Sequence, residues 1–142
     1  MGFNTNLVKW ISSYLQNRSQ LVLFEGYLSK TINVPSGVPQ GSHLGPVLFL
    51  LFINDLPNSI NYSKLLMYAD DVKLFISHNC DKRASLLQND LDSLFKWCRL
   101  NCMDLNLSKC KHMCFSRSSS LILQYNIDGH SLSTVDSFVD LD

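Results

Sequence analysis

Leu7, Ile11, Tyr14 and Leu15 recur at helical spacing, and Asn4 or Thr5 stands ready as a cap, which predicts a helix over about residues 5–17. Residues 21–24 (Leu-Val-Leu-Phe) read as a strand, Glu25-Gly26 as a turn and residues 28–34 as the partner strand. The stretch Pro35-Ser36-Gly37-Val38-Pro39-Gln40-Gly41-Ser42 opposes both ladder and helix, because its prolines lack an N–H. It is a loop, and its glycines let the backbone lie close against a ligand. From about Leu44 to Leu56 the chain is apolar almost all round, which predicts a buried helix with Pro46 in its first turn and Pro57-Asn58 at its end.

The second half changes period. Residues 64–68 (Lys-Leu-Leu-Met-Tyr) and 72–76 (Val-Lys-Leu-Phe-Ile) flank Ala69-Asp70-Asp71, a hairpin pattern with two carboxylates at its tip. Asp81 is placed to cap a long helix over about 82–102, with Leu87, Leu91, Leu94, Phe95 and Cys98 on one face. A strand is expected at 111–116, then a polar loop over 116–120. Asp128-Gly129 marks a second hairpin between 121–127 and about 131–135. Helices alternating with antiparallel hairpins make the class α+β.

Composition then narrows the field. Hydrophobic residues make up 46% of the 142 and aromatics 11%, enough for a core and too much for a disordered chain. Charged residues reach 17%, below the roughly 25% usual for soluble domains, which fits apolar surface meant for neighbouring polypeptide and equally a lightly charged small domain. The net charge of zero is not that of an independent nucleic-acid binder, so any grip on nucleic acid has to be local. The longest apolar run, Val47 to Ile53, is far short of the roughly 20 residues of a membrane span. No secretory leader is visible, Asn6 spoils a myristoylation signal, and five cysteines is an odd number; an intracellular, reduced protein is expected. Cys98-x-x-x-Cys102 and Cys110-x-His112-x-Cys114 hold zinc-ligand types, but on a helix and a strand rather than short knuckles. His43, His78 and His130 have no nearby Ser or Cys that suggests a nucleophile.

Two aspartates in a turn have a plain explanation, since Asp hydrogen-bonds nearby backbone in turns. Their setting supports more. On a regular strand neighbouring side chains diverge, whereas a tight turn lets both carboxylates face one ion. Such a pair repels itself unless a cation lies beside it, and hard oxygen donors suit Mg²⁺ or Mn²⁺.

Three stretches in order resemble non-LTR reverse transcriptases of the jockey-like LINE kind. Gly37-Val38-Pro39-Gln40-Gly41-Ser42, followed by Leu44-Gly45-Pro46 and Asn54-Asp55-Leu56, resembles motif B. Tyr68-Ala69-Asp70-Asp71 resembles motif C, the polymerase metal turn. Leu105-Asn106-Leu107-Ser108-Lys109-Cys110-Lys111, with Met113, Phe115 and Arg117 behind it, resembles motif D. Trp10-Ile11, Ser13-Tyr14-Leu15 and Asn17-Arg18 match the segment ahead of motif B. Asp136-Ser137-Phe138-Val139-Asp140-Leu141-Asp142 resembles the start of motif E, although the family usually has Gly where Asp142 stands. A group II intron or telomerase-type enzyme is the runner-up among polymerases.

The resemblance implies an incomplete polymerase palm, an antiparallel sheet packed on helices with part of the fingers, over residues 1–142. It implies RNA-directed DNA polymerisation, with RNA template, DNA primer and dNTP as partners and a nuclear or cytoplasmic location. Asp70 would be the direct Mg²⁺ (or Mn²⁺) ligand and Asp71 its support. Tyr68 and Ala69 would lie near the primer end and incoming sugar, and Gln40 and Gly41 would touch nucleotide or template. Lys109 would protonate or stabilise pyrophosphate; it reads equally as a solvated surface lysine. The motif A aspartate of the family has no counterpart, being expected upstream of Met1, and the Asp at 55, 81, 90, 92 or 104 cannot replace it by order. Thumb and most of the fingers are likewise expected to be missing. The chain alone is therefore expected to be inactive. The alternative is a non-catalytic remnant that binds nucleic acid or a partner.

Overall fold

The computed structural model describes residues 2–77, 82–115 and 123–138. The expected Asp81 cap, the polar loop 116–120, strand positions 116, 121 and 122, and residues 139–142 lie outside the described residues. The chain divides into two compact units, Met1–Leu51 and Phe52–Asp142.

In the first unit, helix α1 (Thr5–Leu15) starts where the Asn4 side chain accepts the Asn6 N–H at 2.8 Å. It ends two residues before the expected 17, because Gln16 is extended and Asn17 has φ 54°. Strand β1 (Arg18–Gln20) pairs antiparallel with β4 (Ile32–Val34), and β2 (Leu23–Phe24) with β3 (Tyr27–Leu28). The expected strand 21–24 is thus broken. Gln20 faces Ile32 and Leu23 faces Leu28, so residues 21–22 oppose the three residues 29–31, a bulge. The Ser29 hydroxyl fills the gap by accepting the Val22 N–H at 2.8 Å. Glu25 and Gly26, at φ 48° and 84°, make the tight turn.

Helix α2 (Gly45–Ile53) corrects the expectation of a helix buried all round over 44–56. Val47, Leu50 and Phe52 are 51%, 56% and 42% exposed; Gly45 and Ile53 at its two ends are buried, Ile53 at 3%, and Leu48 and Phe49 are half-buried. An all-apolar stretch states a need for cover, and the described residues supply that cover only in part. The helix stops at Ile53 and a short 3-10 turn, Leu56–Ser59, follows with Pro57 at its start.

In the second unit, β5 (Lys64–Tyr68) and β6 (Asp71–Phe75) form the expected hairpin. Helix α3 (Lys82–Leu100) is two residues shorter than expected. Cys102 adopts φ 53°, and the Cys102 and Met103 N–H groups donate back to the Arg99 and Cys98 carbonyls, closing the helix. Its expected apolar face is buried at Leu91, Leu94 and Cys98, and burial extends to Asp90 and Trp97. The expected strand 111–116 shrinks to β7 (Lys111–His112). β8 (Asn126–Ile127) and β9 (His130–Ser131) pair across Asp128-Gly129, as the turn signal predicts. The Gln88 side chain both donates to and accepts from the Asn126 backbone, tying β8 to α3. A core of Leu91, Tyr125 and Ile127, with Leu74, Leu87 and Phe95 against it, joins helix and hairpins.

The fold is mixed helix and small sheets. Among the described residues there are five separate two-stranded pairs rather than one antiparallel sheet. Moreover, β10 (Ser133–Thr134) pairs parallel with β7, against the expectation of antiparallel pairing throughout. Hairpin signals report neighbours in sequence, and this pair joins residues 22 positions apart, Lys111 with Ser133 and His112 with Thr134.

Candidate active site

Five residues on each arm hold the carboxylate tip. Across the ladder Leu65 faces Leu74 and Met67 faces Val72, half-buried on one face, while Leu66 faces Lys73 and Tyr68 faces Asp71 on the other. The register leaves Ala69 and Asp70 as a two-residue turn. Ala69 has φ 51°, a left-handed conformation that an L-residue with a Cβ adopts at a cost of about 1 kcal/mol or more. Asp70 therefore sits in the turn, and Asp71 occupies the first paired position, on the face shared with Tyr68. All four residues are exposed, Tyr68 at 70%.

The base of this hairpin is tied to α3. Asp90, 0% exposed, accepts the N–H groups of Asn61 (2.9 Å), Tyr62 (3.0 Å) and Ser63 (2.5 Å), the residues just ahead of β5. Burial pushes the Asp90 carboxyl up, but these donors outweigh it and hold it below its usual range. Two turns along α3, Trp97 Nε1 donates to Asp55 Oδ1 at 3.2 Å, and Phe52 meets the Trp97 ring edge-on at 5.8 Å.

The proline–glycine loop is held differently. Arg18 Nη2 donates to the Ser36 and Gly37 carbonyls at 3.1 and 2.6 Å, and Nε to the Leu15 carbonyl at 2.8 Å. One guanidinium fork thereby joins the end of α1 to the loop. Gly41 has φ 75°, which glycine adopts without strain; Gln40 and Gly41 are exposed. Ser42 Oγ accepts the Gly45 N–H at 3.0 Å and starts α2.

Lys109 lies exposed in a turn organised by Asn106, whose carbonyl accepts the Lys109 N–H at 3.0 Å and whose side chain accepts the Ser108 hydroxyl at 2.6 Å. The structure thus brings Tyr68, Ala69, Asp70 and Asp71 together on one tip. It sets Gln40 and Gly41 in the other unit, and Lys109 on a separate turn of the second. Sequence reasoning missed Arg18 and Asp90 as anchors. In sequence Arg18 is one residue of a motif-like segment, and Asp90 one of several aspartates that order excludes as metal ligands. A polar residue on the apolar stripe of α3, one turn before Leu94, was the available signal.

Other titratable groups cluster in the core rather than at the tip. Burial lowers the His112 imidazole below its ordinary value and raises the Tyr125 hydroxyl; the two rings pack edge-on at 4.7 Å. Burial also raises the free thiols Cys98 and Cys110. Among the described residues no group of three or more His, Cys, Asp or Glu is placed to hold a metal ion. Asp70 and Asp71 offer two adjacent hard-oxygen donors, which fits part of a shell for an ion such as Mg²⁺ that keeps several waters. Among the described residues no helix is long and apolar enough to cross a membrane.

Residues 1–135 match the family described as Reverse transcriptase (RNA-dependent DNA polymerase). The chain is 36% identical over 114 residues to the probable RNA-directed DNA polymerase from transposon BS of Drosophila melanogaster, covering 75% of the chain and 13% of that protein. It is 35% identical over 111 residues to the probable RNA-directed DNA polymerase from transposon X-element of the same species, covering 75% and 12%. It is also 30% identical over 135 residues to the RNA-directed DNA polymerase from mobile element jockey of Drosophila funebris, covering 89% and 15%. The chain thus spans about an eighth to a seventh of the length of these relatives. No solved structure matches it significantly.

Proposed function

Because the chain belongs to the reverse transcriptase (RNA-dependent DNA polymerase) family, we propose that it forms the metal-turn part of the palm, with part of the fingers, of an RNA-directed DNA polymerase. The reaction is transfer of a nucleotidyl group from dNTP to a primer 3′-hydroxyl, directed by an RNA template. The observation that carries this reading is the Tyr68-Ala69-Asp70-Asp71 turn, strained at Ala69 and held on five paired residues per arm.

In this reading Asp70 holds the divalent cation directly and Asp71 supports it. Bound Mg²⁺ or Mn²⁺ supplies charge stabilisation to the attacking and leaving oxygens of an in-line displacement. Tyr68 lines the primer end, and Ala69 keeps the backbone low beneath the sugar. Gln40 offers its amide, and Gly41 its backbone, to nucleotide or template. Lys109 supplies a proton or a positive charge to pyrophosphate. A two-metal site needs carboxylates from a second element, so this chain alone is proposed to be inactive; misplacement of about 1 Å in such a site costs on the order of 100-fold. No observation favours the non-catalytic alternative.

Two measurements test this. Mn²⁺ titration of the 142-residue chain is expected to broaden the amide resonances of Ala69–Asp71, with the effect lost in Asp70→Asn. Absence of broadening at the tip would sink the metal assignment. Primer extension with the purified chain, RNA template and Mg²⁺ is expected to give no product; template-dependent extension abolished by Asp70→Ala would overturn the inactivity.

A further inference from the structure

We infer that Asp90 is a positioning residue for the carboxylate hairpin: from the buried face of α3 it holds the three consecutive N–H groups from which β5 departs. Its bearing on catalysis rests on the reading of Asp70 and Asp71 as metal ligands; the anchoring does not.

An ionised carboxylate with no exposure is expensive to bury unless its lone pairs are used. Here both oxygens are engaged, Oδ1 by Asn61 and Oδ2 by Tyr62 and Ser63. The donors are backbone groups, so the bonds fix the path of the chain rather than the end of a flexible side chain. Residues 61–63 belong to no strand, and without Asp90 their N–H groups would have to find water. Asp90 and Trp97 are seven residues apart, two helical turns, and so share a face. Trp97 secures Asp55, at the entrance to the same connection. The stretch from Asp55 to Ser63 is therefore pinned to α3 at both ends before β5 begins. On the returning strand Leu74 packs into the core, giving the hairpin base its second hold.

The geometry is that of a lever. Tyr68 lies five steps along the strand from Ser63, about 17 Å at the usual rise. A tilt of about 5° at the base moves the tip by about 1.5 Å, beyond the roughly 1 Å that such chemistry tolerates. A residue that never approaches the ion thereby decides where the ion's ligands stand.

Residue-resolved amide exchange on the wild-type chain and Asp90→Asn tests this. In the wild type the Asn61, Tyr62 and Ser63 amides should be protected despite lying outside any strand. In Asp90→Asn, whose amide offers a single acceptor oxygen, these and the β5 amides should exchange at least tenfold faster. Those of Leu91–Cys98 and of β8–β9 should stay within about twofold. Unprotected 61–63 amides in the wild type would overturn the proposal, as would equal acceleration throughout the unit, which marks a merely structural role. Where Asp90→Asn does not fold, the wild-type pattern decides alone. Mn²⁺ broadening at the tip is a separate readout, so failure of the metal reading and failure of the anchor are told apart.

Discussion

The two segments that carry candidate chemistry are held by opposite means. The proline–glycine loop presents carbonyls, and a half-buried arginine donates to them. The carboxylate hairpin begins at a row of N–H groups, and a fully buried aspartate accepts from them. In each case one side chain substitutes for secondary structure where the backbone has none. The difference is burial. Water can replace the Arg18 bonds, which lie at the surface, whereas the Asp90 carboxylate has no exposure and depends on its three donors. The same device is therefore a modest restraint in one unit and a strong one in the other.

That contrast can be broken most severely at Asp90. Asp90→Ala should cost about 3 kcal/mol in urea unfolding, because three hydrogen bonds to a charged acceptor are lost. Folding holds the Asp90 carboxyl below its ordinary 3.8, so its contribution is full above that value and is lost as pH falls beneath it. The wild type should lose stability there and Asp90→Asn should not show that component. Trp97→Phe keeps an aromatic ring but removes the bond to Asp55 and part of the buried indole; a loss of about 1–2 kcal/mol is expected by the same measurement. Arg18→Gln should be worth about 1 kcal/mol or less, visible mainly as several-fold faster proteolysis between Pro35 and Ser42 with helicity unchanged. An Arg18 effect as large as that of Asp90 would erase the comparison.

His112 gives the smallest effect and a different pH window. Burial holds its imidazole below 6.5, so the folded chain prefers the neutral ring; stability is full above 6.5 and declines as pH falls through it. His112→Phe should remove the decline between pH 7.5 and 5.5, measured as the urea midpoint at each.

Legibility in the sequence followed the range of the interaction. The hairpin at Ala69-Asp70, the turn at Asp128-Gly129, the Asn4 cap and the leucine face of α3 were all readable, because each is decided by residues a few positions apart. The strand at 21–24 was misread because a bulge at Ser29 shifts the register, and hydrophobic runs do not mark bulges. The burial of α2 was misread because an apolar stretch asks for cover without showing where that cover comes from. At the site, the motif residues were found in order, but the side chains that hold them were not: Arg18 reaches 18 and 19 residues along the chain and Asp90 reaches back 27 to 29.

By itself the sequence determined the family, the two candidate segments and the local turns, since ordered motifs and turn chemistry are written in consecutive residues. Only the tertiary structure decided which polar groups meet across those segments. A buried aspartate on a helix looks the same in sequence whether it binds an ion or holds a strand. Its role depends on which N–H groups folding brings to it, and chain order does not encode that distance.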